Sequence, residues 1–488
     1  MDLITHSKKY FILLMGACTL ILSPPKLHAQ TTLTSSRTMV FNSDGLLINS
    51  PYYSIEDILL PSRLYILQGS EENLGRYNLY FKNALLSNSI VNYMNVNSDY
   101  GDSLIGRWLY KDVYNNGVLQ SNAFDLTLSA TSASYGTTLS KTAKVEVVDK
   151  SNETPVRLLA IGDSLTRAGI YLKEVQSSLP NVETVGTRVY PGEDYPREGR
   201  GGWTFSRYCT NINSIDLDSP FVFPVDVDGF HYKGNTRDWK NICYLNPSYY
   251  LYDGFQKIAR GWSDTGEYLY DENGYYKYPT IGDVMVDPSL PEGSQWVEWD
   301  GLIWRTREVQ PTQFEFNFTK YMQRFEAAFT SGAPTHISIL LGTNDFGTEN
   351  GFLGLESFLN DYKEVISSIH TYDPNIKIIV CTPPLGPNEN LIDDYNWSYT
   401  RFDRNTKLAI HYLLETFDTE EYYNHNVFIA PMHLNLDTTN GFTYKTSQVE
   451  VNGVMTPIRM PNNSIHPNNQ VGQIQMGQTL AATIQKTR

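Results

Sequence analysis

Residues 156–166 read Val156-Arg157-Leu158-Leu159-Ala160-Ile161-Gly162-Asp163-Ser164-Leu165-Thr166. A short, mostly apolar run of this length, ended by Gly-Asp-Ser, predicts a buried strand that turns sharply. Residues 165–178 follow with apolar side chains at helical spacing, so the unit is strand, turn, helix. That order places Ser164 at the carboxyl end of a strand and beside a helix N-terminus. Open α/β sheets bind ligands there, and main-chain N–H groups at such a terminus favour negative charge. Gly-Asp-Ser also makes an ordinary turn with a capping serine, so the block alone is weak evidence of chemistry.

The same rhythm continues toward the C-terminus. Strands are predicted at 182–189, 337–341, 376–381 and 427–430, and helices at 355–370, 399–417 and 470–485. Alternating strands and helices predict an α/β domain, a three-layer α/β/α sandwich on a mostly parallel sheet, over residues 155–488. Residues 31–150 read differently. Runs at 63–67, 77–81, 124–130 and 143–148 alternate or carry β-branched and aromatic residues, turn residues separate them, and no amphipathic helix stands out. A small all-β sandwich is expected there, joined through the polar segment 149–155. The interval from about 205 to 312 lacks a βα pattern and is rich in aromatics, including Trp239, Trp262, Trp296, Trp299 and Trp304. It reads as a functional insertion in the α/β domain.

Residues 1–29 read as a secretory signal. Lys8 and Lys9 precede the apolar run 11–23, and Ala29 offers a small residue at a cleavage point before Gln30. The run is shorter than the roughly 20 residues of a spanning helix. Cys18 follows Met15-Gly16-Ala17, a loose lipoprotein-like box, but ordinary cleavage is favoured because the apolar run continues past it. An exported location is expected: periplasm, cell surface or medium. Of the remaining cysteines, Cys381 reads as a buried strand thiol. Cys209 and Cys243 are available to pair in an oxidising compartment, which sequence alone does not establish.

The 488-residue chain carries a formal charge of −15. An acidic chain without a basic cluster argues against nucleic acid and anionic membrane surfaces as partners. No spacing suits a structural zinc site, no later segment is apolar enough to span a membrane, and neither metal nor cofactor is expected.

Three further blocks follow the Ser164 turn in order. Glu198-Gly199-Arg200-Gly201-Gly202-Trp203-Thr204 is a glycine-rich turn; Ile339-Leu340-Leu341-Gly342-Thr343-Asn344-Asp345 ends a strand in asparagine; Asn463-Ser464-Ile465-His466-Pro467-Asn468 sets a histidine before the last helix. Each has a bland alternative: a tight turn, a strand-end cap, a surface histidine. Together, and in this order, the four blocks resemble the signature blocks of the SGNH/GDSL hydrolases, over roughly residues 155–488 without the insertion.

That resemblance implies a serine esterase. Ser164 would be the nucleophile and His466 its base. The main-chain N–H groups of Ser164 and Gly202 and the amide of Asn344 would form the oxyanion hole. Asp163 and Asp345 would be loop-holding acceptors. Trp203, with Arg200, is the expected substrate contact. The glycine-rich block and the N-terminal β region resemble a multidomain subgroup of carbohydrate esterases. This implies an acylated, most simply acetylated, carbohydrate as substrate. A lipase or acyl-thioesterase, or a weakly catalytic glycan-binding protein on an esterase scaffold, are the alternatives. One departure stands out: the family's aspartate three residues before the histidine is Asn463 here. Three readings remain open. Asn463 or a main-chain carbonyl orients the ring of a Ser-His dyad, a carboxylate from elsewhere substitutes, or activity is weak or lost. The first is favoured.

Overall fold

The computed structural model describes residues 55–488, apart from 88–91, 133–137, 190–192, 211–218, most of 226–313, 347–353, 388–398 and 464. The expected signal and Cys18, most of the aromatic insertion, and Cys243 lie outside the described residues.

The N-terminal part is built from β1 (Arg63–Leu67), β2 (Arg76–Tyr80), β3 (Asn92–Ser98), β4 (Asp102–Leu104), β5 (Arg107–Lys111), β6 (Ala123–Ser132) and β7 (Thr138–Val148). They form a four-stranded sheet in the order β1-β7-β6-β3 and a three-stranded sheet in the order β2-β5-β4. Alternation decides which side chains turn inward. Leu126, Leu128 and Ala130 of β6, Val145 and Val147 of β7, Tyr77 and Leu79 of β2, and Trp108 and Tyr110 of β5 share one buried cluster. The outward partners on β6 and β7 are hydroxyl pairs, Thr127 with Thr142 at 2.8 Å and Thr131 with Thr138 at 3.1 Å. Among the described residues, a single helical turn, Phe81–Ala84, interrupts this β region.

The second part centres on a parallel sheet of β8 (Val156–Gly162), β9 (Val182–Val185), β10 (Glu198–Gly199), β11 (His336–Leu340), β12 (Lys377–Cys381) and β13 (Val427–Ala430). The spatial order is β9-β8-β11-β12-β13, with β10 pairing the end of β8 on the side of β9. Leaving β10 aside, this is the doubly wound 2-1-3-4-5 order, whose switch point lies between β8 and β11. Successive residues of β8 point to opposite faces. Leu158 and Ala160 join Tyr171, Val175, Met476, Leu480 and Ile484, whereas Leu159 and Ile161 join Phe205, Tyr362, Ile366, Leu413 and Phe417. The helices that supply these side chains therefore cover both faces: α2 (Ile170–Ser178) and α8 (Gly472–Thr487) on one, α3 (Phe205–Thr210), α5 (Leu355–Tyr372) and α6 (Tyr399–Phe417) on the other, where α4 (Phe318–Arg324) joins them, and α7 (Glu420–Asn424) precedes β13.

One element differs from expectation, and one was not anticipated. Residues 165–178 are not one helix but α1 (Ser164–Ala168) and α2, broken at Gly169, which caps α1 in the left-handed region at φ +69°. The apolar spacing runs across this glycine, so periodicity misses the break. Residues 444–461 form a hairpin, β14 (Tyr444–Val451) and β15 (Val454–Pro461), turned at Asn452-Gly453 with φ of +52° and +80°. An Asn-Gly pair with both residues at positive φ is the favoured two-residue hairpin turn.

The two parts are tied by side chains. Asn83 Nδ2 donates to the carbonyls of His433 and Leu436 at 2.8 Å each, and His433 Nε2 lies 3.0 Å from the Leu59 carbonyl. Ser62 donates through its main-chain N–H and its hydroxyl to Asp418, at 2.6 Å each. The joining segment is held to α8, where Gln485 Nε2 donates to the carbonyls of Asp149 and Asn152.

Candidate active site

Gly162 at the end of β8 is in register with Gly199 of β10 on one side and Leu340 of β11 on the other. The residues just beyond these three strand ends, Ser164, Gly202 and Asn344, are thereby gathered at the carboxyl edge of the sheet, at the switch point. Ser164 opens α1. Asp163 caps that helix, its Oδ1 accepting from the Leu165 N–H at 2.9 Å. Asp345 Oδ1 likewise accepts from the Phe205 N–H at 2.8 Å and pins α3 to the helical turn Thr343–Phe346 after β11. Burial pushes both carboxyls up to about 7, and for Asp345 the Asp163 charge adds to the effect.

His466 comes from the loop between the hairpin and α8. Its Nε2 lies 2.7 Å from Ser164 Oγ. Burial holds its pKa below the ordinary histidine value. The other ring nitrogen, Nδ1, faces Asn463 Nδ2 at 3.1 Å. Asn463 Oδ1 accepts from the N–H groups of Ile465 and His466, at 2.9 Å each. These two bonds fix the amide, since a flipped amide would aim its NH2 at two N–H donors. The amide therefore donates to Nδ1, Nδ1 holds the lone pair, and the neutral ring carries its proton on Nε2, pointing at Ser164. A general base at this position needs the opposite tautomer.

Ser164, Asn463 and His466 line one open cavity of about 670 Å³. Its other walls include Arg167, Glu193, Arg197, Thr443, Asn469 and Gln470, none of which was singled out from sequence. Arg197 is paired with Glu193 at 2.6 Å. Thr443 stands at the base of the β14–β15 hairpin, whose Asn-Gly turn was the available sequence signal for this wall.

Gly202 has φ +72° and open space where a Cβ would stand. Asn344 Nδ2 donates to the Trp203 carbonyl at 3.0 Å, joining the third strand end to the glycine turn. The two expected substrate contacts are buried and do not line this cavity. Trp203 is 3% exposed and packs edge-on against Tyr208, with ring centroids 5.0 Å apart. Arg200 is 1% exposed, pairs with fully buried Glu198 at 2.8 Å and stacks over Trp203. Glu198 also accepts from the Thr187 N–H at 2.7 Å and from Tyr321 Oη at 2.9 Å. A buried carboxylate needs this much pairing, and that demand draws Arg200 inward, away from the cavity.

Cys209 and Cys381 are buried free thiols. Among the described residues, no group of three or more His, Cys, Asp or Glu side chains is arranged to hold a metal ion. No helix among them is long and apolar enough to cross a membrane.

No family model and no curated protein matches the chain. Two solved structures align with 68% of this chain and 98% of their own. One is an acetyl esterase serine-to-alanine mutant with acetate ion, at 14% identity and TM-score 0.30. The other is described as a possible lipase from Chitinophaga pinensis DSM 2588, at 12% identity and TM-score 0.31. Scores this low establish neither a common fold nor a common activity, so the functional reading stands on the geometry of the Ser164–His466 site.

Proposed function

We propose that the chain is an exported serine esterase of the SGNH/GDSL type that removes acyl groups, most simply acetyl, from carbohydrate. The observation that carries the reading is the 2.7 Å contact between Ser164 Oγ and His466 Nε2 at the sheet's switch point, opening on a cavity. In this reading the ring acts as base in its other tautomer, with its proton on Nδ1: Ser164 Oγ attacks the ester carbonyl while the Nε2 lone pair takes its proton, and the alcohol leaves with that proton. Water then releases the acid from the acyl-enzyme by the same route. The main-chain N–H groups of Ser164 and Gly202, and the amide hydrogen of Asn344 not given to Trp203, are the donors for the oxyanion.

The reading is tested by hydrolysis of 4-nitrophenyl acetate and of acetylated polysaccharide, each with and without Ser164→Ala. The variant is expected to lose turnover on both. Equal, measurable rates in the two proteins would remove Ser164 from the mechanism.

A further inference from the structure

We propose that the His466 loop carries out a second reaction: hydrolysis of the Asn463 side chain to aspartate in the folded protein, which converts a resting site into a working one. The chemistry stands on local geometry alone, and only its consequence rests on the esterase reading above.

Three features converge on Asn463. Its Oδ1 receives two main-chain N–H donors, from Ile465 and His466, at 2.9 Å each. A carbonyl oxygen held by two such donors is set to become an oxyanion. Its Nδ2, the nitrogen that would leave, lies 3.1 Å from His466 Nδ1. The side chain also lines the open cavity, where water has access.

The step balances as follows. A water oxygen bonds to Cγ, and the carbonyl pair moves onto Oδ1 between its two donors. One proton of that water passes to His466 Nδ1 and from there to Nδ2. The carbonyl re-forms, the Cγ–Nδ2 bond breaks, and nitrogen leaves with the electron pair as ammonia. The new acid ionises and the ammonia becomes ammonium. One water is consumed, one ammonium ion is released, and nothing is oxidised or reduced.

The product keeps one oxygen on the N–H groups of residues 465 and 466 and turns the other toward Nδ1. An acceptor there holds the proton on Nδ1 and leaves the Nε2 lone pair facing Ser164. The amide form imposes the opposite tautomer, so ester hydrolysis would switch on as Asn463 is converted.

Freshly purified protein held near neutral pH would be sampled over days. Peptide mass spectrometry follows the amide-to-acid exchange at 463, and the same samples are assayed on 4-nitrophenyl acetate. Conversion is expected about 10²-fold faster in the folded chain than in a urea-unfolded aliquot, the effect of an oxyanion donor. His466→Ala is expected to slow the conversion, whereas in the unsubstituted chain ester activity is expected to rise in step with conversion toward that of Asn463→Asp. Conversion no faster in the folded than in the unfolded chain, or faster at neighbouring Asn462 than at Asn463, would overturn the proposal. Conversion at 463 without ester activity, in both the aged protein and Asn463→Asp, would keep the hydrolysis and sink the esterase reading.

Discussion

Asn463 turns its amide nitrogen, not its oxygen, toward Nδ1 of His466. The oxygen is already committed to two main-chain N–H groups, so the loop that delivers the histidine also dictates its tautomer. Where a serine protease has the triad aspartate replaced by asparagine, kcat falls about 10⁴-fold through the same wrong tautomer. Asn463→Asp is therefore expected to raise kcat on aryl acetates by about 10² to 10⁴. The acid limb of the pH profile gives an independent check. Burial holds the His466 pKa low, so the limb should lie below the ordinary histidine range. A carboxylate beside Nδ1 stabilises the imidazolium, so the limb should move to higher pH in the variant. An unchanged limb with unchanged kcat would show that residue 463 does not govern the ring.

Gly202 supplies a prediction that separates function from folding. Its φ of +72° is costly for a side chain, yet a Cβ would meet nothing within 4 Å. Gly202→Ala should cost only about 1–2 kcal/mol of stability, the left-handed backbone penalty. Ester hydrolysis should fall further than that strain explains, because a turn that relaxes its φ carries the N–H away from the oxyanion. Denaturant unfolding and kcat measured on one preparation would decide. A stability loss with kcat intact would leave Gly202 as a turn residue only.

Much of this architecture was legible because its signals are local. Val156–Gly162 is apolar on both sides of its alternation, which requires a strand covered on two faces, and the two clusters built from Leu158 and Leu159 follow. The Asp163 and Asp345 acceptors were legible for the same reason, since short acidic side chains at strand ends close on nearby N–H groups. What failed depended on burial and on the conformation of the turns, which spacing alone does not report. Trp203 beside two glycines reads as an exposed platform until Tyr208 and Arg200 are found packed on it. Arg200 reads as a surface cation until Glu198 is found fully buried, and that burial is set in part by Tyr321. The amide orientation of Asn463 was not legible because it depends on the folded path of the turn, which brings two main-chain N–H groups onto Oδ1 and leaves the nitrogen to face Nδ1.

The Arg200–Glu198 pair makes the correction measurable. Arg200→Ala leaves a buried carboxylate without its cation, a loss worth about 3–5 kcal/mol. The variant should unfold at much lower denaturant and show no specific rise in KM where it remains folded. A rise in KM at wild-type stability would return Arg200 to the substrate site.

Asp163 and Asp345 predict the sign of a pH effect on stability. Their folded-state pKa values, about 7, lie above the ordinary 3.8. Their contribution is therefore whole below that lower value and is lost as pH rises through about 7. Because Asp163 raises Asp345, the pair should titrate together. Asp345→Asn keeps an acceptor for the Phe205 N–H and removes one charge, so thermal midpoints of the variant should fall less between about pH 4 and pH 7. A steeper fall in the variant would mean that the ionised carboxylate is the stabilising form.

The N-terminal sandwich is expected to be inseparable from the α/β part. Leu434, from the turn after β13, is buried in the sandwich's core cluster, and Asn83 satisfies the carbonyls on either side of it. Removing residues before Val156 would expose that leucine, orphan two carbonyls and strip Leu59 from the His433 imidazole. It would also uncover α8, the helix that follows His466 and holds the joining segment through Gln485. Buried polar groups left without partners cost about 1–3 kcal/mol each, so several at one seam exceed what a marginally stable protein tolerates. Calorimetry of the full chain should give one cooperative transition, and residues 156–488 alone should be aggregation-prone and poorly active. Two well-separated transitions, or a truncated chain with full turnover and an unchanged midpoint, would show instead that the sandwich is an independent appendage.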